Sequence, residues 1–135
     1  MSLFIYCSEI SNNSNKSNST ELDNSNTNIY FSNDEFIWPL PGIHRITSYF
    51  GPRKAPAKGS STYHSGIDIA AVQNTNIYSV LSGKVIFTGF KGAGGYTITI
   101  SSNNFLISYC HVSPNFIIKP RRYCRKKFIN WASWS

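Results

Sequence analysis

Acidic residues are scarce in this 135-residue chain, and their distribution is uneven. Five of the six lie before residue 36, so the last hundred residues contain one carboxylate side chain, that of Asp68. Thirteen basic residues bring the formal net charge to +7. A basic body suits an anionic partner such as nucleic acid, a membrane surface or an anionic cell wall. Surface charge that serves only solubility would give the same composition.

Cysteines and long apolar runs are also few. Three cysteines do not form an even disulfide framework, which disfavours a disulfide-stapled miniprotein. No run approaches the roughly 20 apolar residues of a membrane-spanning helix, which excludes a transmembrane segment. The apolar start, residues 1–7, is too short and lacks the basic residues of a complete signal peptide. It resembles the remnant of a leader, although the bulky Tyr6 before Cys7 makes it a poor lipoprotein signal.

The composition divides the chain into three parts. Residues 1–35 are the short apolar start followed by a linker, in which residues 11–34 hold eight Asn and six Ser, a composition typical of disorder. Residues 36–120 carry the apolar patterns of a single small domain. Residues 121–135 form a basic tail with five cationic side chains and no acid.

The domain is predicted to be all-β, a small antiparallel sheet or sandwich. Runs rich in β-branched and aromatic residues alternate with glycine- and serine-containing turns, and no stretch has helical periodicity. The predicted strands cover residues 43–50, 66–70, 77–81, 83–90, 96–101 and 105–112. The aromatic residues fall in core-like strand patterns and form no obvious stacking platform, which disfavours a nucleic-acid partner.

His64 and Asp68 form an H-x-G-x-D pattern that could bind zinc. On a straight strand the two side chains would be about 13 Å apart, at ~3.3 Å per residue, so they can share an ion only if the chain bends between them. Gly66 can supply that bend. The alternative is a loop histidine near an unrelated aspartate.

Asp68 lies among apolar neighbours and therefore needs a cationic partner. Either a metal ion or the side chain of Arg53 would satisfy it. His111 is a second candidate site residue, although a histidine on a strand is commonly structural. Cys110 cannot share a proton with His111 if both lie on one strand, because adjacent strand residues point to opposite faces.

Taken together and in order, five motifs resemble the lysostaphin/LytM-type zinc endopeptidases. The motifs are Tyr49-Phe50-Gly51-x-Arg53, His64-x-Gly66-x-Asp68, Ile77-Tyr78-Ser79-Val80-x-x-Gly83-x-Val85, Gly94-Gly95-Tyr96 and Tyr109-x-His111-x-Ser113. The resemblance implies a duplicated-hybrid-motif fold, location outside the cell or in its envelope, and cleavage of peptide bonds in peptidoglycan.

The resemblance also implies roles for single residues. His64 and Asp68 match two of three protein zinc ligands. His111 matches a histidine that assists catalysis at the oxyanion. Arg53 and Tyr96 match positions that shape the site. In this chemistry three protein ligands leave a fourth position for an activated water.

The family also needs a downstream H-x-H, whose second histidine is the third zinc ligand. This chain has three histidines, and His44 lies upstream on a predicted strand, facing solvent. We therefore expect an incomplete, C-terminally truncated domain with weak zinc binding, no activity and an unpaired edge beside strand 105–112. A non-catalytic peptidoglycan-binding or scaffold module is the alternative function.

The tail suggests how the H-x-H was lost. Tryptophan has one codon, so Trp131 and Trp134 each become glycine when the codons are read one base later, as the family pattern requires. We interpret residues 121–135 as frameshifted. The alternative is a genuine basic, aromatic tail that binds a membrane or nucleic acid.

Overall fold

The computed structural model describes residues 2–9, 36–126 and 129–132. Within them the chain is all-β, as predicted, and one 3₁₀ turn, Gly92–Gly94, interrupts the strands. The strands are β1 (Ser2–Glu9), β2 (Ile46–Ser48), β3 (Gly51–Pro52), β4 (Tyr63–His64), β5 (Ile67–Ala70), β6 (Asn76–Tyr78), β7 (Gly83–Phe90), β8 (Tyr96–Ser102), β9 (Phe105–Cys110), β10 (Tyr123–Cys124) and β11 (Ile129–Ala132).

Seven strands form the main sheet, in the order β10-β7-β8-β9-β1-β5-β2, and each neighbouring pair is antiparallel. Two short ribbons, β11-β6 and β3-β4, accompany it. The hairpin β8-β9 turns at residues 103–104, where Asn103 has a positive φ of 48°. Asparagine tolerates this left-handed conformation better than most residues, so the sequence fits the turn.

Strand β1 is the main departure from the sequence-based expectations. The apolar start had been set apart from the domain as a leader remnant, but residues 2–9 pair with β5 on one side and β9 on the other. Leu3 is fully buried and Ile5 is 9% exposed. The expected unpaired edge beside β9 is therefore absent, because β1 covers that edge.

One face of the main sheet carries the hydrophobic core. Alternate residues of neighbouring strands point into it, as strand geometry requires. The fully buried side chains of this cluster from the main sheet are Leu3, Ile69, Val85, Ile98, Ile100, Ile107 and Tyr109. The opposite face is more polar, and the hydroxyls of Thr99 and Ser108 hydrogen-bond across β8 and β9 at 2.9 Å. That polar face leads to the cleft described below.

The basic tail contributes to the fold where it is described. Tyr123 and Cys124 pair with the start of β7, and the Cys124 side chain is buried. The backbone of residues 129–132 pairs with β6. Among the residues placed here, no helix has the length and apolar character needed to cross a membrane.

Candidate metal centre

An open cleft of about 490 Å³ collects most of the candidate site residues. Its lining includes Arg53, His64, Asp68 and His111, together with Phe4 from strand β1. These residues come from five separate positions along the chain, which the sheet brings together. Phe4 is a lining residue that the sequence analysis did not predict.

His64 is held with one ring nitrogen directed at Asp68. Its Nδ1 lies 3.0 Å from the carbonyl oxygen of Tyr49 and 3.1 Å from Oγ of Ser48. A carbonyl oxygen can only accept a hydrogen bond, so Nδ1 is the donor in this contact, and in the neutral form of the ring the lone pair lies on Nε2. Nε2 faces Oδ1 of Asp68 at 3.6 Å. A backbone acceptor that fixes the ring in this way is typical of metal-binding histidines.

The chain bends between His64 and Asp68, with residues 65–66 separating β4 from β5. Gly66 lies in this bend, as expected, and it also has a second role. Its φ is not positive, but a Cβ atom there would overlap the carbonyl oxygen of Ile5 and lie 2.6 Å from Cε2 of Phe4. Glycine is therefore required because β1 passes so close to it.

Arg53 satisfies Asp68 at least in part. Its Nη1 lies 3.7 Å from Oδ2 of Asp68 and donates a 2.7 Å hydrogen bond to Ser48. Both side chains are partly exposed, at 26% and 22%, so solvent weakens their attraction. Of the two partners considered for Asp68, the arginine is thus close by in the structure.

His111 follows the end of β9 and is not part of the strand. Its φ is +58°, and its backbone N–H donates to the carbonyl of Gly94 at 2.9 Å. Because of this turn, the strand alternation used to separate Cys110 from His111 does not apply to the pair. Cys110 is buried, and burial raises the pKa of its thiol. His111 is exposed and lines the cleft, whereas Cys110 does not.

Tyr96 and His44 do not line the cleft. The ring of Tyr96 packs edge-on against Phe90 and Phe116, with centroids 5.5 and 6.1 Å away. His44 is exposed and lies beside the ring of Trp38, 5.4 Å between centroids. The ring of Tyr96, the expected site-shaping residue, therefore lies outside the cleft lining.

The described residues do not fit a resident zinc ion. Nε2 of His64 and Oδ1 of Asp68 are close enough to share one, since zinc–ligand bonds are about 2.0–2.2 Å. No group of three or more His, Cys, Asp or Glu side chains suited to a metal occurs among the residues placed here. A catalytic zinc site needs three protein ligands. In addition, the ring of Phe4 stacks on His64, with centroids 4.9 Å apart.

An all-β sheet with a histidine–aspartate pair in an open cleft is the arrangement that the resemblance to zinc endopeptidases predicts. Comparison with known proteins gives a family match: residues 62–126 are similar to peptidase family M23. The match extends six residues into the segment predicted to be frameshifted. Residues outside the match include β1.

Curated relatives and solved structures agree with this assignment. The DD-carboxypeptidase/endopeptidase Mpg of Neisseria meningitidis serogroup B and that of Neisseria gonorrhoeae are each 37% identical over 70 residues, 51% of this chain. This chain spans 16% of their length.

Two solved structures have folds similar to that of this chain. Helicobacter pylori Csd3 aligns with a TM-score of 0.59 and 30% identity over 69% of this chain and 26% of its own. A zinc-containing peptidase from Vibrio cholerae aligns with a TM-score of 0.60 and 26% identity over 73% of this chain and 31% of its own.

Proposed function

We propose that the cleft binds peptide portions of peptidoglycan and that, with the residues described, it does not hydrolyse them. The carrying observation is that Arg53, His64, Asp68 and His111 line one cleft while only two of them form a metal-type donor pair. A site with two donors holds zinc weakly and leaves the metal-bound water undefined. The cleft therefore has side chains that can contact a peptide, but it lacks the third protein ligand that a catalytic zinc ion needs.

The charge of the domain supports a wall partner. Residues 36–120 carry seven basic side chains against the single carboxylate of Asp68. Peptidoglycan peptides carry free carboxylates, which a cleft containing Arg53 and lying in a basic domain attracts. The resemblance to wall endopeptidases points to the same polymer, and it supports a location outside the cell or in its envelope.

Zinc-dependent hydrolysis of the same peptides is the second candidate. The orientation of His64 favours it, because the backbone carbonyl of Tyr49 fixes the proton on Nδ1 and leaves Nε2 available for a metal. Hydrolysis would require a third donor from outside the described residues.

A sedimentation assay with purified peptidoglycan tests the proposal. The chain is mixed with insoluble sacculi, with and without added zinc, and both the bound fraction and any released wall peptides are measured. We expect binding that weakens with salt and no release of peptides in either condition. Release of peptides that depends on zinc would refute the inactive form and support hydrolysis.

Two matched variants locate the binding surface. His111→Asn changes a cleft residue and keeps a side chain that tolerates the positive φ at this position. His44→Asn makes the same change at an exposed position outside the cleft. We expect His111→Asn to reduce the bound fraction and His44→Asn to leave it unchanged. Equal binding by both variants would contradict recognition in the cleft.

A further inference from the structure

Three residues lie side by side on neighbouring strands of the sheet, and two of them, Phe4 and Asp68, line the cleft. Phe4 on β1 is directly opposite Asp68 on β5 and Cys110 on β9. Directly opposed residues on antiparallel strands have their Cβ atoms about 4.5–5.5 Å apart and point to the same face. Position 4 is therefore a direct cross-strand neighbour of Asp68 on the β1 side, and Ser48 of β2 is its neighbour on the other side.

The side chain at position 4 also reaches the other member of the donor pair. The ring of Phe4 stacks on the imidazole of His64 at a centroid distance of 4.9 Å and an interplanar angle of 29°. The absence of a side chain at Gly66 lets the Phe4 ring approach closely, since a Cβ there would meet its Cε2 at 2.6 Å. Phe4 thus stacks on the histidine of the pair and lies directly across from its aspartate.

We infer that position 4 is the third-donor position of this site and that Phe4 keeps the His64–Asp68 pair free of metal. A phenyl ring offers no lone pair to zinc, so the position opposite Asp68 supplies no donor while Phe4 occupies it. Any residue in this slot of β1 points at the same place, so a histidine there completes a three-donor set. This inference rests on the proposed incompleteness of the site.

Other residues near the pair are less suited to complete it. His111 lines the same cleft, but it lies after a backbone turn at the end of β9 and forms no metal-type group with the pair. Arg53 contacts Oδ2 of Asp68, whereas Oδ1 faces His64. Oδ1 therefore remains available to an ion that also binds Nε2.

Metal titration of the full-length Phe4→His variant tests the inference. Zinc affinity is measured by competition with a chelating dye, and cobalt(II) is used in parallel because its visible absorption reports tetrahedral coordination. We expect Phe4→His to bind zinc about 100-fold more tightly than the wild-type chain, since each ligand of a zinc site contributes a large share of its affinity. A second change, His64→Ala, should abolish the gain.

Tyr6→His is the matched control. Position 6 lies on the same face of β1 but is opposite Ser108 on β9, two residues away from the row that contains Asp68. We expect no comparable gain in affinity. Equal affinities for Phe4→His and Tyr6→His, or a gain that survives His64→Ala, would overturn the inference.

Two further measurements test the inference if the Phe4→His chain does not fold. Phe4→Cys places a thiolate donor at the same position and is titrated with cobalt under reducing conditions, where a folded variant without a thiolate–cobalt band contradicts the inference. In the wild-type chain, the nuclear magnetic resonance signal of the His64 ring should be far from saturated at equimolar zinc; saturation would also contradict the inference. None of these titrations contains peptidoglycan, so their outcome is independent of the wall-binding test.

Discussion

Replacing Gly66 by alanine tests the placement of strand β1 most sharply. The new Cβ atom would overlap the carbonyl oxygen of Ile5 and would lie 2.6 Å from Cε2 of Phe4. The Phe4 ring can rotate, but the backbone of β1 cannot yield without moving the whole strand. The substitution therefore forces β1 and β5 apart.

The structure sets two limits on the energetic cost. If the sheet absorbs the extra atom by small shifts, overpacking of this kind costs about 1–3 kcal/mol. If β1 detaches, the burial of Leu3 and Ile5 is lost, at about 1.5–3 kcal/mol for each side chain. The cost cannot exceed that of detachment, because release of the strand removes the clash. We expect a loss of about 1–6 kcal/mol in the free energy of unfolding.

Urea denaturation measures this loss, and amide hydrogen exchange shows which strand is affected. Faster exchange should be concentrated in β1 and its partners. The neighbouring change Ser65→Ala, at an exposed position, serves as control and should lie within about 0.5 kcal/mol of wild type. A Gly66→Ala chain with unchanged stability and a protected β1 would refute the placement of this strand.

The remaining predictions concern the core. Leu3→Ala should cost about 2–5 kcal/mol in denaturation experiments, because Leu3 is fully buried, whereas the exposed Ile117→Ala should stay within about 0.5 kcal/mol; equal effects would contradict a core role for β1. Tyr109→Phe should cost about 1–3 kcal/mol, because the Tyr109 hydroxyl accepts a 2.9 Å hydrogen bond from the buried N–H of Val80. Burial also raises the pKa of Tyr109 from 10 to about 12, so the unfolded chain releases this proton first. Wild-type stability should therefore fall as the pH rises from 10 to 12, and more steeply than that of Tyr109→Phe; parallel pH profiles would contradict this assignment.

Strands could be predicted where the residues of the strand itself and of the adjacent turns identify it. Runs of β-branched residues and the glycine-rich turns between them located β5 to β9, although the predicted strand at residues 43–50 is only Ile46–Ser48 in β2. Strand β1 could not be placed, because five apolar residues are equally consistent with a leader and with a buried strand. Its partners β5 and β9 lie far along the chain, and non-local pairing leaves no mark in the local sequence.

The candidate site was predictable in composition but not in geometry. The H-x-G-x-D spacing identified His64 and Asp68, and the need of a carboxylate for a cation identified Arg53. The positive φ of His111 and the position of Phe4 depend on how β9 ends and on the register of β1. A one-residue shift in that register would move Phe4 to the opposite face, so sequence pattern alone could not assign it.

Zinc retention by the wild-type chain tests the central claim most directly. The purified protein is equilibrated with equimolar zinc, passed over a desalting column and analysed for zinc by mass spectrometry, with X-ray absorption of any metal that remains. In the wild-type chain Arg53 contacts Asp68 and the ring of Phe4 stacks on His64. We therefore expect the chain to retain far less than one zinc ion. One retained ion per chain with three protein ligands and a water would contradict the account.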